Sequence, residues 1–244
     1  MKNLKIIEEV DVFCEEIAVL INDHVLKEDF GDEEDDAWIH EELSSRNSMS
    51  VPPDNFFYLG FDLPESLINM VEDVEDITVT VVVYRNVDRF SISADNCPLD
   101  GSGVGMHINV FLPEDLSDPA VTSLLMKEIV NTVRHEMEHV IQQEFPELVD
   151  YLDYHKIDFK IEQIPSHLCL YLVQPSEVSA HVRGYQKTTQ GILSFAKVVG
   201  NLLEGYVSQG QITKEEKSSV FWCWKDWYDR NTYIDKSESV KCAM

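Results

Sequence analysis

Basic residues are scarce in this chain. Its 244 residues include 19 Lys and Arg against 45 Asp and Glu, a formal net charge of −26 at pH 7. Like charges repel over a Debye length, so this balance argues against nucleic acid or an anionic membrane as a direct partner and favours a basic peptide or protein. Long apolar runs are missing as well. No stretch approaches the roughly 20 residues that cross a bilayer. The opening "MKNLKIIEEVDVFCEEIAVLINDH" is broken throughout by acids and lacks the apolar core and cleavage site of a signal peptide, so the expected location is the cytoplasm. Cysteine is sparse and unpatterned. Cys14, Cys97, Cys169, Cys223 and Cys242 are odd in number, widely scattered and form no CxxC pair. That pattern points to thiols in a reducing compartment rather than to a disulfide framework. Internal repeats and low-complexity tracts are also lacking.

What is present suits a packed core: 44% of residues are hydrophobic and 10% aromatic. Leu4, Ile7, Val10, Cys14, Ile17, Ile21 and Val25 recur at three- and four-residue steps and predict a helix over Leu4 to Leu26. From Glu28 to Glu42, nine of fifteen residues are acidic, the mark of a solvated segment. "SSRNSMSVPPDN" then reads as a linker. The domain reading is therefore 1–50 for the N-terminal helix and acidic segment and 51–244 for the main domain, the two being compatible with one continuous unit. "FFYLGF" predicts a strand and "LPESLINMVEDV" a short helix. "ITVTVVVY" (Ile77–Tyr84) is rich in β-branched residues and is a strand. "RFSISAD" (Arg89–Asp95) alternates after a short polar turn, so it is expected to form a hairpin with the strand before it. "NCPLDGSGVG" reads as a loop and "MHINVFLP" (Met106–Pro113) as a further strand.

The longest helical pattern is "SDPAVTSLLMKEIVNTVRHEMEHVIQQEF", with Asp118 as cap, Pro119 at the first position, and Met126, Val130, Val133, Met137, Val140 and Ile141 as its apolar stripe. Helices follow at "PSEVSAHVRGYQKTTQ", "ILSFAKVVGNLLEGYV" and "TKEEKSSVFWCWKDWYDR", the last opened by a capping box of Thr213 and Glu216. Helix, strands, then helices make an α+β chain.

Chemistry concentrates in "HEMEH". His135 and His139 are four residues apart, a little over one helical turn, so both imidazoles leave the same side of the helix. Two imidazoles so placed can grip one Zn2+, and Glu136 beside them can take a proton from a water that the metal activates. A catalytic zinc site needs three protein ligands and an open position. Glu177 is a candidate for the third, 38 residues after His139 at the start of a helix introduced by Pro175. Asp150, Asp153 and His155 lie nearer in sequence and are alternatives.

HEMEH, followed by Glu177 on a later helix with Ala180 three residues on, resembles the gluzincin branch of the zincin metallopeptidases. It is similar to the small members, including peptidase-like proteins encoded by phages. The likeness covers about Ile77 to Gln190. It implies a twisted, mostly antiparallel sheet, an edge strand that pairs with extended substrate, an active-site helix and a glutamate-bearing helix. The matching edge strand would be "MHINVFLP". Zn2+ would be held by His135, His139 and Glu177, with Glu136 as general base. Family members also place a histidine or tyrosine near the oxyanion; His181 and Tyr185 follow Glu177 at helical steps. Where some gluzincins carry an acid four residues after the ligand glutamate, this chain carries His181. The metzincin pattern fails, because Gln142 and Phe145 stand where it needs glycine and histidine.

Each of these residues also has a structural reading. Glu177 alone is the acid that a helix N-terminus favours. His181 and His107 can be packing histidines, and Cys97 an incidental thiol. Trp224 shares helical faces with Tyr228 and Phe221, which suits packing against the body of the protein. At the level of function, the charge of −26 admits a competing class: an acidic mimic of DNA, or a virion or assembly component with a zincin-like shape and no turnover.

Overall fold

The computed structural model describes residues 2–27, 55–68, 76–85, 90–98, 104–113, 116, 119–145, 165–189 and 191–241. The acidic segment, most of the linker, Asp118, and Asp150, Asp153 and His155 lie outside them. In chain order the elements are α1 (Lys2–Lys27), β1 (Asn55–Asp62), α2 (Glu65–Ile68), β2 (Asp76–Tyr84), β3 (Ser91–Pro98), β4 (Val104–Phe111), α3 (Pro119–Glu144), α4 (His167–Leu172), α5 (Pro175–Thr188), α6 (Ile192–Ser208) and α7 (Lys214–Lys241). This is an α+β chain with a four-stranded mixed sheet and a mostly helical C-terminal part. No described helix is long and apolar enough to cross a membrane. The chain divides into two compact units, Glu9–Glu136 and Met1–Glu8 with Met137–Met244, so the division falls inside the unbroken helix α3.

In the unit Glu9–Glu136 the sheet order is β1-β2-β4-β3. β1 runs antiparallel to β2, β2 parallel to β4, and β4 antiparallel to β3. The two central strands carry the densest β-branched and apolar sequence, and Val81 through Tyr84 are fully buried, as befits strands covered by neighbours. Two expectations change here. β2 and β3 do run in opposite directions, but they form no hairpin, because β4 lies between them and bonds to both. Nor is "MHINVFLP" the edge: β4 is an interior strand, and among the described residues β3 is the edge on that side. β3 also continues through Asn96, Cys97 and Pro98, which the turn-forming composition of "NCPLDGSGVG" had suggested were loop.

The stripe on α1 is buried at Val10, Cys14, Ile17, Ile21 and Val25, with Phe13 and Ala18 widening it. Arg134 of α3 is fully buried, and its Nε lies 2.8 Å from Asp11 Oδ1 on α1. A buried guanidinium left without its carboxylate is costly, so this pair fixes α3 one residue ahead of His135.

In the second unit, α4 to α7 pack around Trp224, which is fully buried and donates from Nε1 to the Leu172 carbonyl at 2.8 Å. Tyr228 is buried beside Phe195. The capping box on α7 forms as expected: Glu216 N–H donates to Thr213 Oγ1 at 3.1 Å, and Thr213 N–H to Glu216 Oε2 at 2.6 Å. Glu216 does more than cap. Its Oε1 also accepts from the Ser166 N–H at 2.5 Å, which ties the start of α4 to the start of α7. Burial pushes this carboxyl upward, and the N–H donors of Ser166 and Thr213 more than reverse that, so it stays ionised at neutral pH. Glu216→Ala is expected to lower stability by about 2–3 kcal/mol, since two charge-assisted bonds and a cap are lost together. Urea unfolding measures this; a midpoint equal to wild type would contradict the clamp.

Candidate functional site

The HExxH segment lies within α3, where Val133, Met137 and Val140 are buried. They take the packed side, and His135 and His139 are only partly buried, with side-chain exposures of 14% and 16%. The sequence stripe therefore accounts for the direction of both rings.

Glu177 stands in the first turn of α5, two residues after Pro175, and is buried. Its carboxylate addresses two imidazoles within the same unit. Oε1 is 3.4 Å from His139 Nε2, and Oε2 is 3.9 Å from His181 Nε2. The structure thus places His139 and Glu177, two of the three expected ligands, beside each other, with His181 next to Glu177. His135 is one turn ahead of His139 on the same helix. Tyr185, two turns beyond Glu177 on α5, packs against the helical core with its ring 6.4 Å from that of Trp224.

Gln142 decides how His139 is protonated, a role the sequence reading had not given it. Its Nε2 donates to the Ser176 carbonyl at 3.0 Å and to Ser179 Oγ at 2.8 Å. The Ser179 hydroxyl is itself committed as a donor to Ser176 O, so Oγ can only accept from Gln142. The amide oxygen of Gln142 must then face His139 Nδ1, 3.0 Å away, and Nδ1 must be the donor. In the neutral ring the lone pair is left on Nε2, the atom that approaches Glu177. Two acceptor atoms at this distance repel unless a positive charge lies between them, either a proton on Nε2 or a metal cation. Imidazole nitrogens and carboxylate oxygens are the donor types that hold zinc.

Glu136 is buried, and its Oε2 and its main-chain oxygen both accept from the Asn96 side chain, at 2.9 and 3.0 Å. Its Oε1 lies 3.9 Å from His135 Nε2. Asn96 was missed at the sequence level because it sits among turn formers. The signal available was the alternation of β3, continued one step further. His107 faces Asp95 directly across the β4–β3 pair, with Nδ1 3.5 Å from Oδ1.

His181 stacks on Trp224, ring centroids 4.5 Å apart at 21°. Burial, and after it the neighbouring His139, push its pKa down to about 3. The folded ring is therefore neutral near pH 7, while the unfolded ring takes up a proton near pH 6.5. Because the unfolded state binds more protons in this window, stability is full above about pH 6.5 and falls as pH drops toward 3. In metal-free protein each pH unit below 6.5 is expected to cost up to about 1.4 kcal/mol from this group. His181→Phe keeps an aromatic ring on Trp224 and should remove that share of the slope in urea unfolding between pH 7 and 5. An unchanged slope would contradict a ring held neutral in the folded state.

No family model matches this chain, and no curated protein or solved structure does either.

Proposed function

We propose that this chain is a zinc-dependent peptide-bond hydrolase of the gluzincin kind. His135, His139 and Glu177 hold the metal and Glu136 is the general base. The observation that carries this reading is the 3.4 Å approach of His139 Nε2 to Glu177 Oε1, with the Nε2 lone pair directed by Gln142. Two donors about 2.0–2.1 Å from one tetrahedral ion lie roughly 3.3 Å apart. A direct ion pair would close to about 2.7–2.9 Å. The observed 3.4 Å is closer to the spacing of two ligands than to that of a direct ion pair, which supports the reading. His181, whose Nε2 lies 3.9 Å from Glu177 Oε2 within the same unit, gives a second possible donor set in which it replaces His139.

Zinc in such a site supplies a polarised carbonyl and a water acidified toward a pKa of ~7. Glu136 takes the proton as water adds to the peptide carbon and then delivers it to the leaving amine. His181, beside Glu177, is a better placed candidate than Tyr185 to steady the developing oxyanion. Extended substrate adds to the outer edge of β3, which among the described residues pairs with β4 alone. The acidic surface draws basic peptides and gives a salt-sensitive association rate.

The test is metal analysis of freshly purified protein, paired with cleavage of an unstructured lysine-rich polypeptide. About one zinc per chain is expected. Cleavage should stop on chelation and return when zinc is restored. Metal-free protein that cleaves nothing and instead binds a basic DNA-binding protein tightly would overturn the hydrolase reading in favour of an acidic mimic.

A further inference from the structure

We propose that Asn96 is the positioning residue of Glu136, a clamp on strand β3 that holds one carboxylate oxygen and so sets the direction of the other. This rests on the reading of Glu136 as general base.

Along β3, Ser91, Ser93 and Asp95 are exposed while Ile92, Ala94 and Asn96 are half-buried, so alternation puts Asn96 on the inward face with two apolar side chains. A third apolar residue would be the ordinary choice there. Asn96 instead spends both protons of its amide nitrogen on one residue, donating to Glu136 Oε2 at 2.9 Å and to the Glu136 carbonyl at 3.0 Å. The orientation of the amide is not ambiguous. Turned over, its oxygen would meet two acceptors at once. As it stands, Asn96 Oδ1 is buried with no hydrogen-bond partner among the described residues. That is a cost to folding, so the amide is a poor choice for stability alone and a good one for fixing Glu136.

The contacts separate the two oxygens of Glu136. Oε2 is anchored by Asn96, and Oε1 is directed to the side of His135, 3.9 Å from its Nε2. Bonding to the Glu136 main chain as well as its side chain makes Asn96 a two-point brace, which restrains rotation of the carboxylate relative to the helix. The same strand presents its outer edge to substrate in the proposed function. A strand that pairs with peptide through its main chain thus carries, on its inward face, the side chain that aims the base.

Two measurements test this. In metal-free protein, the Asn96 side-chain amide is expected to give a 1H–15N pair that exchanges slowly, and Glu136→Ala should move it to the position of an ordinary exposed asparagine. No movement would overturn the clamp without reference to activity. In zinc-loaded protein, Asn96→Ala is expected to lower kcat about 10- to 100-fold with KM and zinc content unchanged, as a misaimed reacting group does. Asn96→Asp keeps the shape, loses the donor and should fall at least as far; it also serves if Asn96→Ala does not fold. Wild-type kcat in a folded variant would overturn the proposal, as would a loss confined to KM or to metal content. Inactive wild-type protein would instead remove the general-base reading itself, and the role of Asn96 with it, so the two failures are told apart.

Discussion

Glu136→Gln is expected to lower peptide hydrolysis about 10²- to 10⁴-fold, the contribution of a well-placed general base. Zinc content should stay at the wild-type value. The substitution is nearly isosteric, and its carbonyl oxygen can still accept from Asn96 Nδ2, so the hydrogen bonds at 2.9 and 3.0 Å can persist. What disappears is the ability to take and return a proton. The loss should therefore fall on kcat, with KM nearly unchanged, because binding of extended peptide to β3 does not use that proton. Zinc analysis, circular dichroism and steady-state kinetics on one preparation decide the matter. A variant with more than about a tenth of wild-type turnover would remove Glu136 from the chemistry. A variant that is inactive only because it has lost zinc would make it a structural residue.

The parts of the site legible in the sequence are those carried by one helix. His135 and His139 are related by the pitch of α3 alone, and the stripe of Val133, Met137 and Val140 orients them. Glu177 was legible for a similar reason: Pro175 fixes where α5 begins, and the first turn is where a carboxylate is favoured. Gln142 and Asn96 were not legible, because their roles depend on partners far along the chain. Gln142 reads as one more polar residue until α5 brings Ser176 and Ser179 to it. Asn96 reads as a turn former until β3 is paired in register with β4, Asn96 opposite Met106.

The sheet shows the same limit. Each strand was visible from its own composition, including β2, because β-branched residues report a pleated buried surface locally. Partner choice is not a local property. Alternation in "RFSISAD" fits a strand bonded to β2 as well as one bonded to β4, and the short connection favoured the former. The insertion of β4 between β2 and β3 rests on long-range burial of Met106, Ile108 and Val110, which no window of sequence displays. The error had a functional consequence, since it moved the expected substrate edge from β3 to β4.

Removing the Glu177 carboxylate should have the largest effect on the metal. Glu177→Ala is expected to lose zinc and with it all cleavage, with affinity falling by more than the roughly 10- to 100-fold that follows loss of an outer-shell partner. The reason lies in the geometry: one buried carboxylate faces His139 with one oxygen and His181 with the other, at 3.4 and 3.9 Å. Its deletion takes away the negative charge that offsets a divalent cation placed among neutral imidazoles. A graded series then separates ligand from support. Gln142→Leu frees the His139 ring without touching a donor, so its affinity should fall only within that 10- to 100-fold range. His139→Ala and His181→Phe distinguish the two donor sets, because only the true ligand gives a loss as large as that of Glu177→Ala. Thermal unfolding offers a second reading of the same equilibrium. Zinc at 100 times its dissociation constant stabilises the folded state by about 2.7 kcal/mol, so wild-type melting should rise with zinc and that of Glu177→Ala should not. A Glu177→Ala protein that still binds zinc as tightly as wild type would leave the carboxylate as a helix N-terminal acid and nothing more.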